Sequence, residues 1–168
     1  MTATLHRCWV YGDDVNTDVI FPGKYTYTIT DPAELAAHAL EDLDPAFAEQ
    51  VRPGDVIVAG RNWGCGSSRE QAVSALKAAG VPVIIAASFS RIYFRNCINQ
   101  GLLPVALPAL RDLVRAGDTI AIDRAAGQIV AAGRTFAIPP LSPSVQAILD
   151  AGGLIPMLRA RFAGERAL

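Results

Sequence analysis

The sequence has little charge, few cysteines and no long apolar run. Charged residues make up 18% of its 168 residues and sum to −1. Lys and Arg form no dense block, so the chain lacks the basic surface typical of proteins that bind nucleic acid or an anionic membrane. The longest apolar stretch, residues 81–88, is interrupted by Pro82 and falls well short of the ~18 residues that span a membrane. With 51% hydrophobic residues, the chain is too apolar to be disordered throughout.

The three cysteines, Cys8, Cys65 and Cys97, are odd in number and widely spaced. They include no C-x-x-C pair, which argues against a disulfide framework and against a complete metal or cluster site. The N-terminal residues lack the basic start, apolar run and cleavage site of a secretory signal. We therefore expect a cytoplasmic protein. Because a monomer normally covers its surface with polar groups, the low charge also predicts that another protein covers part of the surface.

Short elements separated by Gly and Pro predict one α/β domain over residues 1–168, with a helical tail at about 142–168. Two apolar runs, 56–59 and 83–87, are typical of strands buried on both faces, and helical spacing between them indicates a crossover helix ending at Gly80. Hairpin-like strands towards the C-terminus do not fit a plain doubly wound sheet. The other expected strands are 8–11, 19–21, 103–107, 119–123, 128–132 and 134–138, and the other expected helices are 31–40, 90–100, 144–151 and 154–162.

The segment that carries chemistry is the glycine-rich loop 60–70, between a buried strand and a helix. Ser67 and Glu70 match a capping box, which predicts Ser67 as the N-cap with free helix N–H groups opening towards the loop. Such a helix start favours an anion, and Arg69 adds donors suited to a carboxylate. Nucleotide binding fits poorly, because Arg69 stands where a third glycine is required and no lysine precedes Ser67. A small carboxylate is favoured, although loops of this kind also occur without a ligand.

Three ordered motifs resemble the small subunit of 3-isopropylmalate dehydratase, of the aconitase superfamily. They are residues 14–20 (DVNTDVI), 64–70 (GCGSSRE) and 88–101 (SFSRIYFRNCINQG), and the match covers roughly residues 7–150. The resemblance implies a three-layer β/β/α swivelling domain, as in the aconitase C-terminal domain. It also implies a hydro-lyase of leucine biosynthesis that interconverts 2-isopropylmalate and 3-isopropylmalate by dehydration and rehydration. A 4Fe-4S cluster is then expected on a large subunit, with none on this chain, which would be active only with that partner.

By this resemblance, Ser67 is expected to be the catalytic base that removes the carbon-bound proton. Ser68 and Arg69 are expected to hold substrate carboxylates. A serine hydroxyl is a poor base at its ordinary pKa, so its alkoxide needs N–H groups and positive charge around it. Thr17 and Asp18 match a polar pair that lines the site, while a turn or capping role for Asp18 stays open. The expected loop and supporting residues are Gly64, Cys65, Gly66, Glu70, Arg95 and Asn96, with Asn96 packing under the loop.

Substrate choice is expected to depend on residues 23–28, GKYTYT. In homoaconitase-like relatives this loop carries an arginine, within Tyr-Leu-Arg-Thr, that binds an extra carboxylate, and Tyr27 stands at that point here. Tyr25 and Tyr27 are therefore candidate substrate-binding residues, and citrate and homocitrate are disfavoured because a third carboxylate would be poorly compensated. Lys24, if it reaches into the site, weakens that inference. Since the loop also departs from the usual isopropylmalate pattern, methylmalate, dimethylmalate and maleate stay open as substrates.

Interpretations of other classes also stay open. The same helix start suits a non-catalytic, regulatory carboxylate-binding domain, and the isolated chain has the low charge of a protein that forms homo-oligomers. A nucleophilic role for Cys65 is disfavoured, because neither His6 nor His38 lies in a motif that would make it the base a cysteine nucleophile needs. No nucleic acid or membrane partner is expected.

Overall fold

A seven-stranded sheet organises residues 3–165, the part of the chain that the computed structural model describes. Its strands are β1 (Thr4–Val10), β2 (Val56–Ala59), β3 (Val83–Ala86), β4 (Leu103–Ala106), β5 (Thr119–Asp123), β6 (Gln128–Ala131) and β7 (Arg134–Ala137). Their order is β4-β3-β2-β1-β5-β6-β7, with β1 to β4 parallel and β5 to β7 antiparallel additions beyond β1. The buried runs therefore form parallel strands and the hairpin-like segments form hairpins, as predicted.

Eight α-helices accompany the sheet in this part of the chain, and Gly23–Tyr25 form a short 3-10 helix. The α-helices are α1 (Thr17–Ile20), α2 (Pro32–Ala37), α3 (Pro45–Gln50), α4 (Gln71–Ala78), α5 (Arg91–Gln100), α6 (Pro108–Arg111), α7 (Pro143–Asp150) and α8 (Leu154–Glu165). Asp31 caps α2 with a proline at the first helical position, and Ser90 caps α5, which ends at Gly101 with φ 76°. Such residues are typical of helix ends, and α2 and α5 lie within the helices predicted over residues 31–40 and 90–100. None of the helices within residues 3–165 is long and apolar enough to cross a membrane.

Two cores lie on opposite faces of the parallel strands. Successive residues of a strand point to opposite faces, so Ile57 joins one core and Val58 the other. The first core packs the parallel strands against α2, α4 and α5, and the second packs them against the curled antiparallel strands, through residues such as Ile120 and Ile129. A helix layer, the parallel strands and the antiparallel strands make three layers. This confirms the predicted β/β/α fold class.

Two local predictions are wrong, and two short helices, α3 and α6, were not expected. Residues 19–21, predicted as a strand, lie in and beside α1, because Asn16 Oδ1 accepts hydrogen bonds from the N–H groups of Asp18 (2.8 Å) and Val19 (3.2 Å) and so starts a helical turn. Ser67 is not an N-cap, since α4 begins only at Gln71. The predicted tail contains α7 and α8, while residues 1, 2 and 166–168 of the predicted domain lie outside the described part.

Candidate functional site

The first two motifs meet just beyond the carboxyl end of β2. The Gly64 N–H donates to the Val15 carbonyl and the Thr17 N–H donates to the Cys65 carbonyl, both at 2.8 Å. Gly64 has φ 76°, and a Cβ there would lie 2.1 Å from Cγ of Tyr93, so only glycine fits. Residues 48 and 49 positions apart in sequence are thereby held side by side.

The third motif, residues 88–101, binds the carbonyl groups of the loop 64–70. Ser90 Oγ donates to the Gly64 carbonyl at 2.7 Å, and Asn96 Nδ2 donates to the Ser68 carbonyl at 3.3 Å. Both donors belong to α5 or its cap. Asn96 therefore lies under the loop, where the resemblance places it.

Ser67 stands at the centre of the site with its side chain exposed. Arg69 Nε donates to Ser67 Oγ at 3.0 Å, and Thr17 Oγ1 lies 3.1 Å from the same oxygen. Thr17 is 1% exposed and is fixed as the first residue of α1. The groups placed to stabilise a Ser67 alkoxide are thus a guanidinium and a buried hydroxyl, in place of the helix N-terminus that the capping box predicted.

Arg69 is held on three sides by side chains. Besides the bond to Ser67, its Nη1 donates to Thr26 Oγ1 at 3.3 Å and its Nη2 forms an ion pair with Asp18. The arginine side chain is only 17% exposed. A guanidinium has five N–H groups, and these contacts use three of them.

Asp18 acts through this ion pair and not as a capping residue. Asn16 supplies the cap of α1, and Asp18 lies in its first turn with a side chain that is 69% exposed. The alternative that Asp18 is a cap or Asx-turn residue is therefore wrong. Its carboxylate binds Nη2 of Arg69 and so helps to orient that guanidinium.

Several residues considered for the site are exposed or contact groups other than Ser67. Tyr27 is 96% exposed, and the Tyr25 hydroxyl donates to Glu41. Lys24 does not reach into the site, because its Nζ pairs with Glu41 at 3.0 Å. Arg95 is exposed and lines a surface cleft beside Phe94.

Glu70 supports the loop through its backbone. Its carbonyl accepts a hydrogen bond from Gln100 Nε2 at 3.0 Å and also from the Ser74 side chain. Glu70 is the residue immediately before α4, and its side chain makes no capping hydrogen bond. The predicted capping role of Glu70 is therefore wrong, while its supporting role stays a prediction.

Sequence reasoning missed three residues that shape the site. Thr26 contacts Arg69, Asn16 caps α1, and Gly23 packs so closely that a Cβ there would lie 2.6 Å from Arg69 Nη1. The Asn16-Thr17-Asp18 run carries an N-cap signal that was available in the sequence. Nothing in the sequence pairs Thr26 or Gly23 with Arg69.

The cysteines do not form a cluster site. Cys8 and Cys97 are buried and Cys65 is partly exposed. Burial, with smaller effects from Asp118 and Asp55, raises the pKa of Cys8 to about 12, and burial raises that of Cys97, so both are thiols in the isolated chain. Within residues 3–165 no group of three or more His, Cys, Asp and Glu side chains is placed to hold a metal ion.

The chain is similar to characterised proteins over nearly its whole length. The family model of the aconitase C-terminal domain matches residues 14–110. A 3-isopropylmalate dehydratase small subunit of Moorella thermoacetica is 49% identical over 152 residues, covering 89% of this chain and 91% of that protein. A methanogen homoaconitase small subunit of Methanothermobacter thermautotrophicus is 50% identical, covering 89% and 86%. The crystal structure of a 3-isopropylmalate dehydratase from Methanocaldococcus jannaschii superposes with a TM-score of 0.90 at 43% identity, covering 99% of both chains.

Proposed function

Because this chain belongs to the family of 3-isopropylmalate dehydratase small subunits, whose fold is the aconitase C-terminal domain, we propose that its loop 64–70 supplies the base and carboxylate-binding groups of that hydro-lyase. The family, fold class and hydro-lyase function predicted from the three motifs are confirmed. A small subunit acts with a large subunit, which is therefore the partner of this chain. We further propose a role for each of Ser67, Ser68 and Arg69, and a preferred substrate.

The observation that carries the proposal is the pair of groups around Ser67 Oγ. As an alkoxide, Ser67 takes the proton from the carbon next to a substrate carboxylate when water leaves. On rehydration in the opposite orientation it gives a proton to the neighbouring carbon, which had carried the hydroxyl, while water adds to the carbon that lost the proton. Arg69 Nε and the Thr17 hydroxyl, at 3.0 and 3.1 Å, stabilise the negative oxygen. Both are fixed before substrate binds, so little reorganisation is needed during the reaction.

Substrate carboxylates are held by Arg69 and Ser68. Two guanidinium N–H groups of Arg69 are left by its contacts with Ser67, Thr26 and Asp18, and they suit the fork geometry of a carboxylate. Ser68 directly precedes Arg69 and is exposed on the same loop. The 4Fe-4S cluster that aconitase-family membership implies is assigned to the large subunit, because the cysteines of this chain do not fit one.

The substrate we propose is a malate with an apolar substituent, 3-isopropylmalate. Residues 23–28 contain one cation, Lys24, and Glu41 binds it, so this loop leaves a third substrate carboxylate unpaired. Homocitrate is the second candidate, since a homoaconitase small subunit is 50% identical to this chain. Methylmalate, dimethylmalate and maleate lack a third carboxylate as well and are further alternatives.

The open site also supports a position for the large subunit. Ser67 and Ser68 are exposed in the isolated chain, whereas an alkoxide base and carboxylate-binding groups work best where water is excluded. We therefore place the large subunit over residues 66–69, in a complex located in the reducing cytoplasm.

The test is reconstitution with the cognate large subunit, carrying its cluster. Dehydration and hydration rates are measured with 3-isopropylmalate, homocitrate, methylmalate, dimethylmalate and maleate, with each isolated subunit as a control. We expect activity only in the mixture and the highest kcat/KM for 3-isopropylmalate. A preference for homocitrate contradicts the substrate proposal. Tight dicarboxylate binding by the isolated chain, measured by calorimetry and without activity in the mixture, would instead favour a regulatory binding domain.

A further inference from the structure

We propose that Glu41 is a positioning residue that holds the Arg69 guanidinium in place through residues 23–28, an inference that rests on the proposed role of Arg69 in binding substrate. Glu41 lies just beyond α2 and does not touch Ser67 or Arg69. Residues 23–28 connect the two, because this loop contacts both Glu41 and Arg69. Three steps connect Glu41 to the guanidinium.

In the first step, the Glu41 carboxylate binds three side chains. Its Oε1 accepts a hydrogen bond from the Tyr25 hydroxyl at 3.1 Å and pairs with Lys24 Nζ at 3.0 Å, and its Oε2 contacts Nδ1 of His38. These contacts, with that from His38 the largest, lower the pKa of Glu41 despite partial burial. Glu41 is therefore a carboxylate at neutral pH and binds both loop side chains.

In the second step, ring contacts fix the same two loop residues. The Tyr25 ring lies on the His38 ring with centroids 4.1 Å apart, and it also packs 6.0 Å from the Phe21 ring. Lys24 Nζ lies 4.8 Å from the centre of the Tyr25 ring, within the range of a cation–π contact. Residues 24 and 25 thus have their side chains held on the α2 side of the loop.

In the third step, the residues on either side of this anchored pair contact Arg69. Thr26 Oγ1 accepts a hydrogen bond from Arg69 Nη1 at 3.3 Å, and the Thr26 carbonyl accepts one from Gln71 Nε2 at 3.4 Å. At the other side, Gly23 is so close that an added Cβ would lie 2.6 Å from Nη1. The loop therefore sets the position of Nη1, while the bond from Nε to Ser67 does not pass through it.

Because the loop contacts Nη1 and Ser67 contacts Nε, we expect loss of Glu41 to affect KM more than kcat. Loss of the Glu41 carboxylate frees the loop and, with it, the donors that bind substrate, so KM rises about fivefold, the effect of losing one ordinary hydrogen bond. The contacts of Ser67 Oγ with Thr17 and Arg69 Nε stay, so kcat changes less than about twofold.

The experiment uses the reconstituted enzyme with Glu41→Gln, Thr26→Val and Thr26→Ser. Glu34→Gln, which removes an exposed carboxylate from the first turn of α2, is the matched control. We expect raised KM with nearly constant kcat for Glu41→Gln and Thr26→Val, and values near those of the unmodified enzyme for Thr26→Ser and Glu34→Gln. If Glu41→Gln fails to fold, Tyr25→Phe, which deletes only the hydroxyl on Glu41, takes its place.

A second measurement keeps this inference separate from the proposed function. The Arg69 Nη1–H signal of the full small subunit, labelled with ¹⁵N-arginine and assigned with Arg69→Lys, reports the mobility of the end of the guanidinium that contacts Thr26. Faster hydrogen exchange at this signal in Glu41→Gln, but not in Glu34→Gln, supports the link even if no substituted malate is turned over, an outcome that would overturn the proposed function alone. An unchanged signal and KM, or the same change in Glu34→Gln, overturns the role of Glu41.

Discussion

Two arginine–aspartate pairs lie at opposite ends of β2 and are built in opposite ways. Asp55, just before β2, has a side chain that is 7% exposed and accepts hydrogen bonds from Arg7, from Trp9 Nε1 at 2.9 Å and from the Arg52 N–H at 3.0 Å. At the other end, in the pair between Asp18 and Arg69, the carboxylate is 69% exposed and the arginine side chain is 17% exposed. The buried partner is the acid in one pair and the arginine in the other.

The two pairs differ in what surrounds them. The Asp55 carboxylate is surrounded by donors of its own chain, so removing it leaves buried donors without a partner. Arg69 is held by three side chains, one of which is the exposed Ser67, in the loop that we propose binds substrate. We therefore expect changes around Asp55 to affect stability and changes around Arg69 to affect turnover.

The largest effect is expected for Ser67→Ala in the reconstituted enzyme. Loss of the base should lower kcat about a thousandfold, while the melting temperature of the small subunit and its assembly with the large subunit stay unchanged, because Ser67 is exposed. Cys65→Ser is the control and should keep most of the activity. An active Ser67→Ala enzyme, or an inactive Cys65→Ser enzyme, would contradict the assignment of the base.

The next effect concerns stability and compares the two acids directly. Asp55→Asn should lower the free energy of unfolding by about 3 kcal/mol, since it breaks a buried ion pair. Asp18→Asn should change it by less than about 0.5 kcal/mol, since that carboxylate is exposed. Both are measured by denaturant unfolding of the isolated chain. Equal losses in the two variants would remove the distinction between the pairs.

A smaller effect is expected for Thr17→Val, which keeps the shape of a buried side chain and removes only its hydroxyl. The Ser67 alkoxide then loses one of its two donors, so kcat should fall about tenfold with little change in KM. Thr17→Ser retains the hydroxyl and should restore most of the rate. A purely structural role for Thr17 predicts instead a lower melting temperature with unchanged kcat.

The smallest effect is a pH dependence confined to acid. Burial alone would raise the pKa of Asp55, but the hydrogen bonds from Arg7, Trp9 and the Arg52 amide outweigh it and lower this pKa below its ordinary value of 3.8. The stabilisation is therefore complete above the pKa of the unfolded chain and is lost as pH falls through the folded-state pKa. The melting temperatures of the unmodified chain and Asp55→Asn should differ by a constant amount from about pH 7 to 5 and converge below about pH 4. A gap that persists to lower pH argues that the pair stabilises without its charge.

Sequence reasoning succeeded where structure is decided locally or by burial alone. The helices predicted over residues 31–40 and 90–100 and the buried strands β2 and β3 each follow from a few neighbouring residues. It failed at Ser67, whose spacing to Glu70 satisfies a capping box but whose hydroxyl is bound by Arg69 and Thr17 instead. The capping box uses only residues 67–70. The contact with Thr17 comes from a segment 50 residues away, so no rule based on neighbouring residues predicts it.

The sequence by itself determined the three motifs, and with them the family, the hydro-lyase function and the need for a large-subunit partner. It also determined which strands are buried, because continuous apolar runs have no other stable place in a folded chain. Only the tertiary structure decided which groups surround Ser67. Thr17 is 50 residues from Ser67 and Thr26 is 43 residues from Arg69. Contacts over such separations depend on how β1, β2 and the loops beyond them pack, and packing of that kind is a property of the whole fold.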